Sequence, residues 1–158
     1  MNKEKFNENL IDFIKNSTCA FTCIKKIKEK LLEANFQELK ETDTWNNLSG
    51  NYFVIRNDAS IIAFKVKNRA SSFQIITTHS DTPSLLLKNN GIYIKDIYLK
   101  HNVMPYGGLL NYGFLDTPFS LAGRIFIEKN NKLLKKIIDI KEEIAVIPSV
   151  AIHLNDKA

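Results

Sequence analysis

The chain has 158 residues, 44% hydrophobic and 25% charged, with a formal net charge of +5. This is the balance of a globular domain, or of two small lobes, and not of a fibrous or disordered chain. No apolar run approaches the ~20 residues of a membrane span, and the lysine pairs Lys25-Lys26 and Lys135-Lys136 lack the interleaved aromatics of a nucleic-acid surface. The start, Met1-Asn2-Lys3-Glu4-Lys5-Phe6, has no apolar export core. Cys19 and Cys23 lie four apart on a helical stretch and read as reduced thiols. The expectation is a cytoplasmic protein with neither a membrane nor a nucleic-acid partner.

Phe6, Leu10, Phe13 and Ile14 recur at helical spacing and predict a first amphipathic helix. Asn16-Ser17-Thr18 interrupts it and offers a cap for a second helix, whose apolar stripe is Phe21, Ile24, Ile27, Leu31 and Leu32. A short strand follows over residues 36–41, then a polar loop through Trp45 to Gly50. Tyr52 to Arg56 and Ser60 to Val66 are β-type runs around Asn57-Asp58-Ala59, which predicts a hairpin. Phe73 to Thr78 predicts a further strand. Beyond Leu87 the chain turns β-rich: Gly91 to His101 alternates, and Phe119 to Glu128 and Leu133 to Ile140 flank the turn Lys129-Asn130-Asn131. A separate β-rich unit is therefore expected from residue 89, and two helices followed by strands fit an α/β sandwich for the part before it.

The chemistry concentrates in Thr77-Thr78-His79-Ser80-Asp81-Thr82-Pro83, at the carboxyl end of the expected strand, where ligands of open α/β sheets collect. Imidazole is a good zinc ligand at neutral pH, and binds best when its second nitrogen is oriented by a carboxylate. The i, i+2 spacing keeps His79 and Asp81 on one side of an extended backbone. By spacing alone, His79 reads first as a hydrogen-bonded loop histidine and Asp81 as an ordinary turn residue, since a His-x-Asp triplet is weak by itself.

Five blocks then carry a likeness in order: Phe36-Gln37-Glu38-Leu39-Lys40-Glu41 with Trp45; Ile61-Ile62-Ala63-Phe64; the His79 turn; Tyr106-Gly107-Gly108 through Asp116-Thr117-Pro118-Phe119-Ser120-Leu121-Ala122-Gly123-Arg124; and Ile147-Pro148-Ser149-Val150-Ala151-Ile152-His153-Leu154. With these the chain resembles the N-terminal part of the M18 metalloaminopeptidases, specifically the aspartyl aminopeptidase branch. The resemblance implies an α/β fold, part of a zinc-peptidase-type α/β sandwich over residues 1–88, followed over 89–158 by the start of a β-rich inserted dimerisation domain. It implies two divalent metals, usually zinc, and a homo-oligomer that removes Asp or Glu from peptide N-termini. His79 matches the first metal ligand and Asp81 the carboxylate that orients it. His153 matches a histidine that reaches across the dimer into the neighbouring active site; its other reading is a strand-end His paired with local backbone.

The family's further carboxylates, its general base and its distant His have no matching position here, so the chain alone is expected to be inactive. Glu142-Glu143 reads as solvated charge and Asp116 as structural rather than a metal bridge. Ser17 to Thr22, Leu86 and Thr117 depart from the family's usual residues, which bears on substrate preference. The rival reading is a non-catalytic binding or assembly protein derived from the same family.

Overall fold

The computed structural model describes residues 2–67 and 72–154, which form a mixed α/β structure. Two compact units emerge. The first comprises Met1–Asp81 with Leu121–Ile140, and the second Thr82–Ser120 with Lys141–Ala158. Compactness thus does not follow a single cut at residue 89, because residues 121–140 associate with the N-terminal residues.

In the first unit, helix α1 spans Lys3–Lys15 and helix α2 spans Ala20–Glu33. The Asn2 side chain caps α1 by accepting the Glu4 N–H at 3.2 Å. Asn16, expected within a cap for α2, instead closes α1, its N–H donating to the Asp12 carbonyl at 3.1 Å. Cys19 takes the α2 N-cap because the Thr22 hydroxyl oxygen lies 2.9 Å away and satisfies its N–H. At the other end Asn35 adopts φ 60°, the Asn35 N–H donates to Leu32 O and the Phe36 N–H to Leu31 O. This paired pattern is a Schellman motif, which an asparagine can close because its short side chain tolerates the left-handed region.

Strands β1 (Gln37–Glu38), β2 (Gly50–Arg56) and β3 (Ser60–Val66) form a sheet in that order, β1 parallel and β3 antiparallel to β2. Asn57 and Asp58 both take positive φ, as the tight β2–β3 turn requires. Phe53 on the central strand is fully buried, and Ile24, Cys23 and Thr22 of α2 are buried with it. Each such apolar side chain contributes about 1.5–3 kcal/mol on leaving water. The α1 stripe is less covered: Phe6, Leu10 and Ile14 are all exposed.

The expected strand Phe73–Thr78 is not formed. A strand exists through its ladder, and no strand among the described residues pairs with this segment; Phe73 is 86% and Ile76 97% exposed.

Strand β4 covers Ser84–Lys95 and β5 covers Tyr98–Tyr106, an antiparallel hairpin within the second unit. The expected single run Gly91 to His101 is therefore two strands, divided by a turn at Asp96 and Ile97 with Asp96 at φ 56°. The ladder slips between Leu87 and Ile92, and there Gly91 is needed: a Cβ would lie 3.1 Å from the Asn102 Cβ and the Lys88 carbonyl oxygen. A 3-10 turn at Asn111–Phe114 follows, with the Phe114 and Phe119 rings stacked at 6.0 Å.

Strands β6 (Pro118–Lys129) and β7 (Lys132–Val146) pair around Asn130-Asn131, both at positive φ. The turn falls where expected, and β7 runs past the expected end at Ile140. In the first unit, Arg124 of β6 donates from Nη1 to the Asn57 carbonyl at 2.7 Å and lies 3.4 Å from the Asp58 carboxylate. Its guanidinium stacks over Phe21 at 4.7 Å and Phe126 at 5.3 Å. Lys135 of β7 also binds Asp58, and Thr18 donates to Asp139 at 2.9 Å.

Two outcomes follow. Arg124→Ala removes the stack and the donor to the Asn57 carbonyl and leaves Asp58 paired with Lys135 alone, so urea denaturation should show a loss of about 1–3 kcal/mol. Second, the Lys135 ammonium, and after it Arg124, hold the Asp58 carboxyl below its ordinary 3.8 against the opposing effect of burial. A carboxyl depressed in the folded state stabilises above its unfolded pKa, and that contribution disappears as pH falls through the lower folded value. Thermal melts from about pH 6 to about pH 2 should therefore show a shallower acid limb for Asp58→Asn than for the wild type. Identical limbs would count against the ion-pair account.

Candidate metal centre

His79 and Asp81 close the unpaired segment of the first unit. Nδ1 of His79 lies 2.5 Å from the main-chain carbonyl oxygen of Asp81 and 3.5 Å from its carboxylate Oδ1. A carbonyl oxygen only accepts, so Nδ1 is the donor of this pair and Nε2 is the nitrogen left for a metal. The side chain is 76% exposed, which leaves Nε2 accessible. The hydroxyl of Ser80, between them, donates to the Ala59 carbonyl at 3.0 Å, fastening the turn to the loop between β2 and β3. Sequence reading assigned Ser80 no role; the signal available was a polar hydroxyl between the two candidate site residues.

Among the described residues no three His, Cys, Asp or Glu side chains converge to hold a metal ion. His79 fits one position of a zinc site, because its ring is exposed and already oriented through the nitrogen that would not bind metal. The nearer orienting group is the Asp81 carbonyl, which any residue there would supply, and the carboxylate stands behind it.

His153 belongs to the second unit, on the 3-10 turn Ile152–Leu154, which is closed by the Leu154 N–H on the Ala151 carbonyl at 2.8 Å. It is exposed. The remaining histidine, His101 on β5, has Nδ1 3.0 Å from the Asn102 carbonyl. Asp116 binds main chain: its carboxylate accepts the Ser149 N–H at 2.8 Å, and the Ser149 side chain and amide together hold its carboxyl below the usual range. Glu142 and Glu143 are exposed on β7.

Cys19 and Cys23 are free thiols, Cys23 is buried, and that burial pushes its thiol up. A cleft of about 380 Å³ in the first unit lies between α2 and the turn at Asp58; among its lining charges Lys28 pairs with Glu38 and Lys135 with Asp58, and Lys25 lines it as well. It contains neither His79 nor Asp81. Among the described residues, no helix is long and apolar enough to cross a membrane.

The profile of the family described as aminopeptidase I zinc metalloprotease (M18) matches residues 13–158. The chain is 37% identical, over 99% of its length, to a probable M18 family aminopeptidase 2 of Pseudomonas paraeruginosa, and covers 37% of that protein. It is 38% identical over 98% of its length to a probable M18 family aminopeptidase 2 of Clostridium acetobutylicum, again covering 37% of it. A chain of the S. cerevisiae mApe1 dodecamer superposes with a TM-score of 0.83 at 26% identity, covering 95% of this chain and 37% of that one. This chain therefore spans 37% of the length of these curated relatives. The chain belongs to the M18 peptidase family.

Proposed function

We propose that this chain supplies the N-terminal part of a zinc-dependent aminopeptidase that removes acidic residues from peptide N-termini. His79 is a metal ligand, Asp81 its orienting residue, and His153 a group offered to a neighbouring subunit's site. The observation that carries the reading is the His79 ring: the residue that matches the family's ligand has Nδ1 tied to Asp81 and Nε2 exposed. Zinc, when bound, polarises the scissile carbonyl and lowers the pKa of water.

Zinc sites use three or four protein ligands. His79 is one, so the remaining ligands and the general base come from polypeptide that corresponds to the unmatched part of the relatives. The residues of this chain then have limited tasks. Asp81 fixes the proton on Nδ1 and so the direction of Nε2, and Ser80 fixes where the turn lies. The β-rich residues 89–158 form the start of a dimerisation domain. Assembly into a homo-oligomer is supported by the dodecamer of the yeast relative, and it would bring His153 to a second subunit. Acidic specificity rests on the five sequence blocks alone.

The expected outcome is that the chain by itself does not release N-terminal Asp. Joined to, or mixed with, the remaining segment of an M18 enzyme, it shows zinc-dependent release that His79→Ala reduces to background. Full activity of His79→Ala at saturating zinc would remove His79 from the site. Asp81→Asn keeps the main-chain carbonyl, so its loss of zinc affinity should lie near the lower end of the roughly 10- to 100-fold typical of such partners, as read by competition with a chelator. A complemented sample that binds zinc but cleaves no peptide would favour the assembly-protein reading.

A further inference from the structure

The second unit contains a tie between residues far apart in sequence that none of the expected roles uses. Asp116 sits just before β6, and Ile147 to Ser149 lie just after β7. The Asp116 N–H donates to the Ile147 carbonyl at 2.8 Å, and the Asp116 carboxylate accepts the Ser149 N–H at 2.8 Å. The same residue thus donates to one side of Pro148 and accepts from the other. It can do so because its φ is 56°, which curls the backbone so that amide and carboxylate face the same strand of chain. Asp and Asn are the non-glycine residues that visit this region most readily. The two bonds tie the residue two before β6 to the residues just after β7, across a proline that has no N–H to give.

The clasp ends four residues before His153. From Ser149 the chain passes through Val150 and Ala151 into the short turn Ile152–Leu154, where the only closing main-chain bond among the described residues is Leu154 to Ala151. One such bond orders only its own turn. The nearest residues before this turn that are tied to another part of the chain by the bonds above are Ile147 and Ser149.

We infer that Asp116 is a positioning residue for His153, holding the segment that carries the imidazole against the open end of the β6–β7 hairpin. The inference rests on the proposed role of His153 for its catalytic consequence, and on the geometry alone for the clasp. Asp116 touches neither peptide nor metal; it acts through residues 147–149.

The test compares wild type, Asp116→Asn and Asp116→Gly in the full chain by amide hydrogen exchange and by the NMR ring-proton signals of His153. Glycine accepts φ 56° without strain but has no acceptor, whereas asparagine keeps both the conformation and an acceptor oxygen. Asp116→Gly should speed exchange of the Ser149 amide by about 10-fold or more and move the His153 signals, while Asp116→Asn stays close to wild type. A Ser149 amide that exchanges at the free-peptide rate in the wild type overturns the clasp, even if the glycine variant fails to fold. Unmoved His153 signals in a folded Asp116→Gly overturn the positioning role.

In the complemented enzyme, Asp116→Gly should lower kcat by up to about 10²-fold with zinc content unchanged, and Asp116→Asn should restore it. Full activity of His153→Ala alongside an intact clasp would remove the catalytic consequence and identify the failure as that of the His153 reading.

Discussion

The Arg124 guanidinium is the contact on which the first unit depends. It stacks on Phe21 of α2, donates to the Asn57 carbonyl and faces Asp58, so one side chain joins a helix, a hairpin turn and a strand more than sixty residues away. The turn it holds is itself costly, with two consecutive residues in the left-handed region. The next residue, Ala59, presents the carbonyl that receives the Ser80 hydroxyl. The position of His79 is therefore inherited: from Arg124 to the Asn57-Asp58 turn, from Ala59 to Ser80, and from Ser80 to the imidazole beside it.

The His79 turn therefore has an anchor although the residues leading into it pair with no strand among the described residues. Its anchor is a side chain on a loop carbonyl, not a ladder. The same logic separates two roles inside the triplet. Ser80 sets location, through a contact outside the triplet, and Asp81 sets ring orientation, through contacts within it. Because the nearer acceptor is the Asp81 main-chain carbonyl, part of that orientation survives any side chain at 81. The carboxylate adds charge at 3.5 Å, which favours a cation on the far side of the ring.

The legible parts of the fold were those written in local chemistry. Asn57-Asp58 and Asn130-Asn131 demand positive φ between β-type runs, and both turns formed as expected, as did the two helices with apolar stripes at helical spacing. The cap of α2 was misplaced because Cys19 is a poor N-cap by type and is rescued by Thr22, three residues on. Phe73–Thr78 was misread because its apolar character specifies a buried strand only when a neighbour exists. For the site, His79 and Asp81 stood out through spacing and family likeness. The clasp at Asp116 did not, since a contact spanning 33 residues leaves no periodic signature and its Ser149 donor is a main-chain amide.

Under the proposed function, the two deficits of this chain are one. His79 is a single imidazole where zinc needs three or four ligands. Immediately before it, Phe73, Ile75 and Ile76 lie exposed in a segment that joins no strand among the described residues. A strand added beside residues 73–78 would supply the missing ladder, and layers over its two faces would return roughly 1.5–3 kcal/mol for each large apolar side chain covered. The end of such a strand falls beside His79, because the segment stops where the histidine begins. The same added polypeptide would therefore both stabilise the segment and carry ligands to the metal. Metal affinity and folding of this region are then linked, and a bound ion stabilises the completed sheet by mass action.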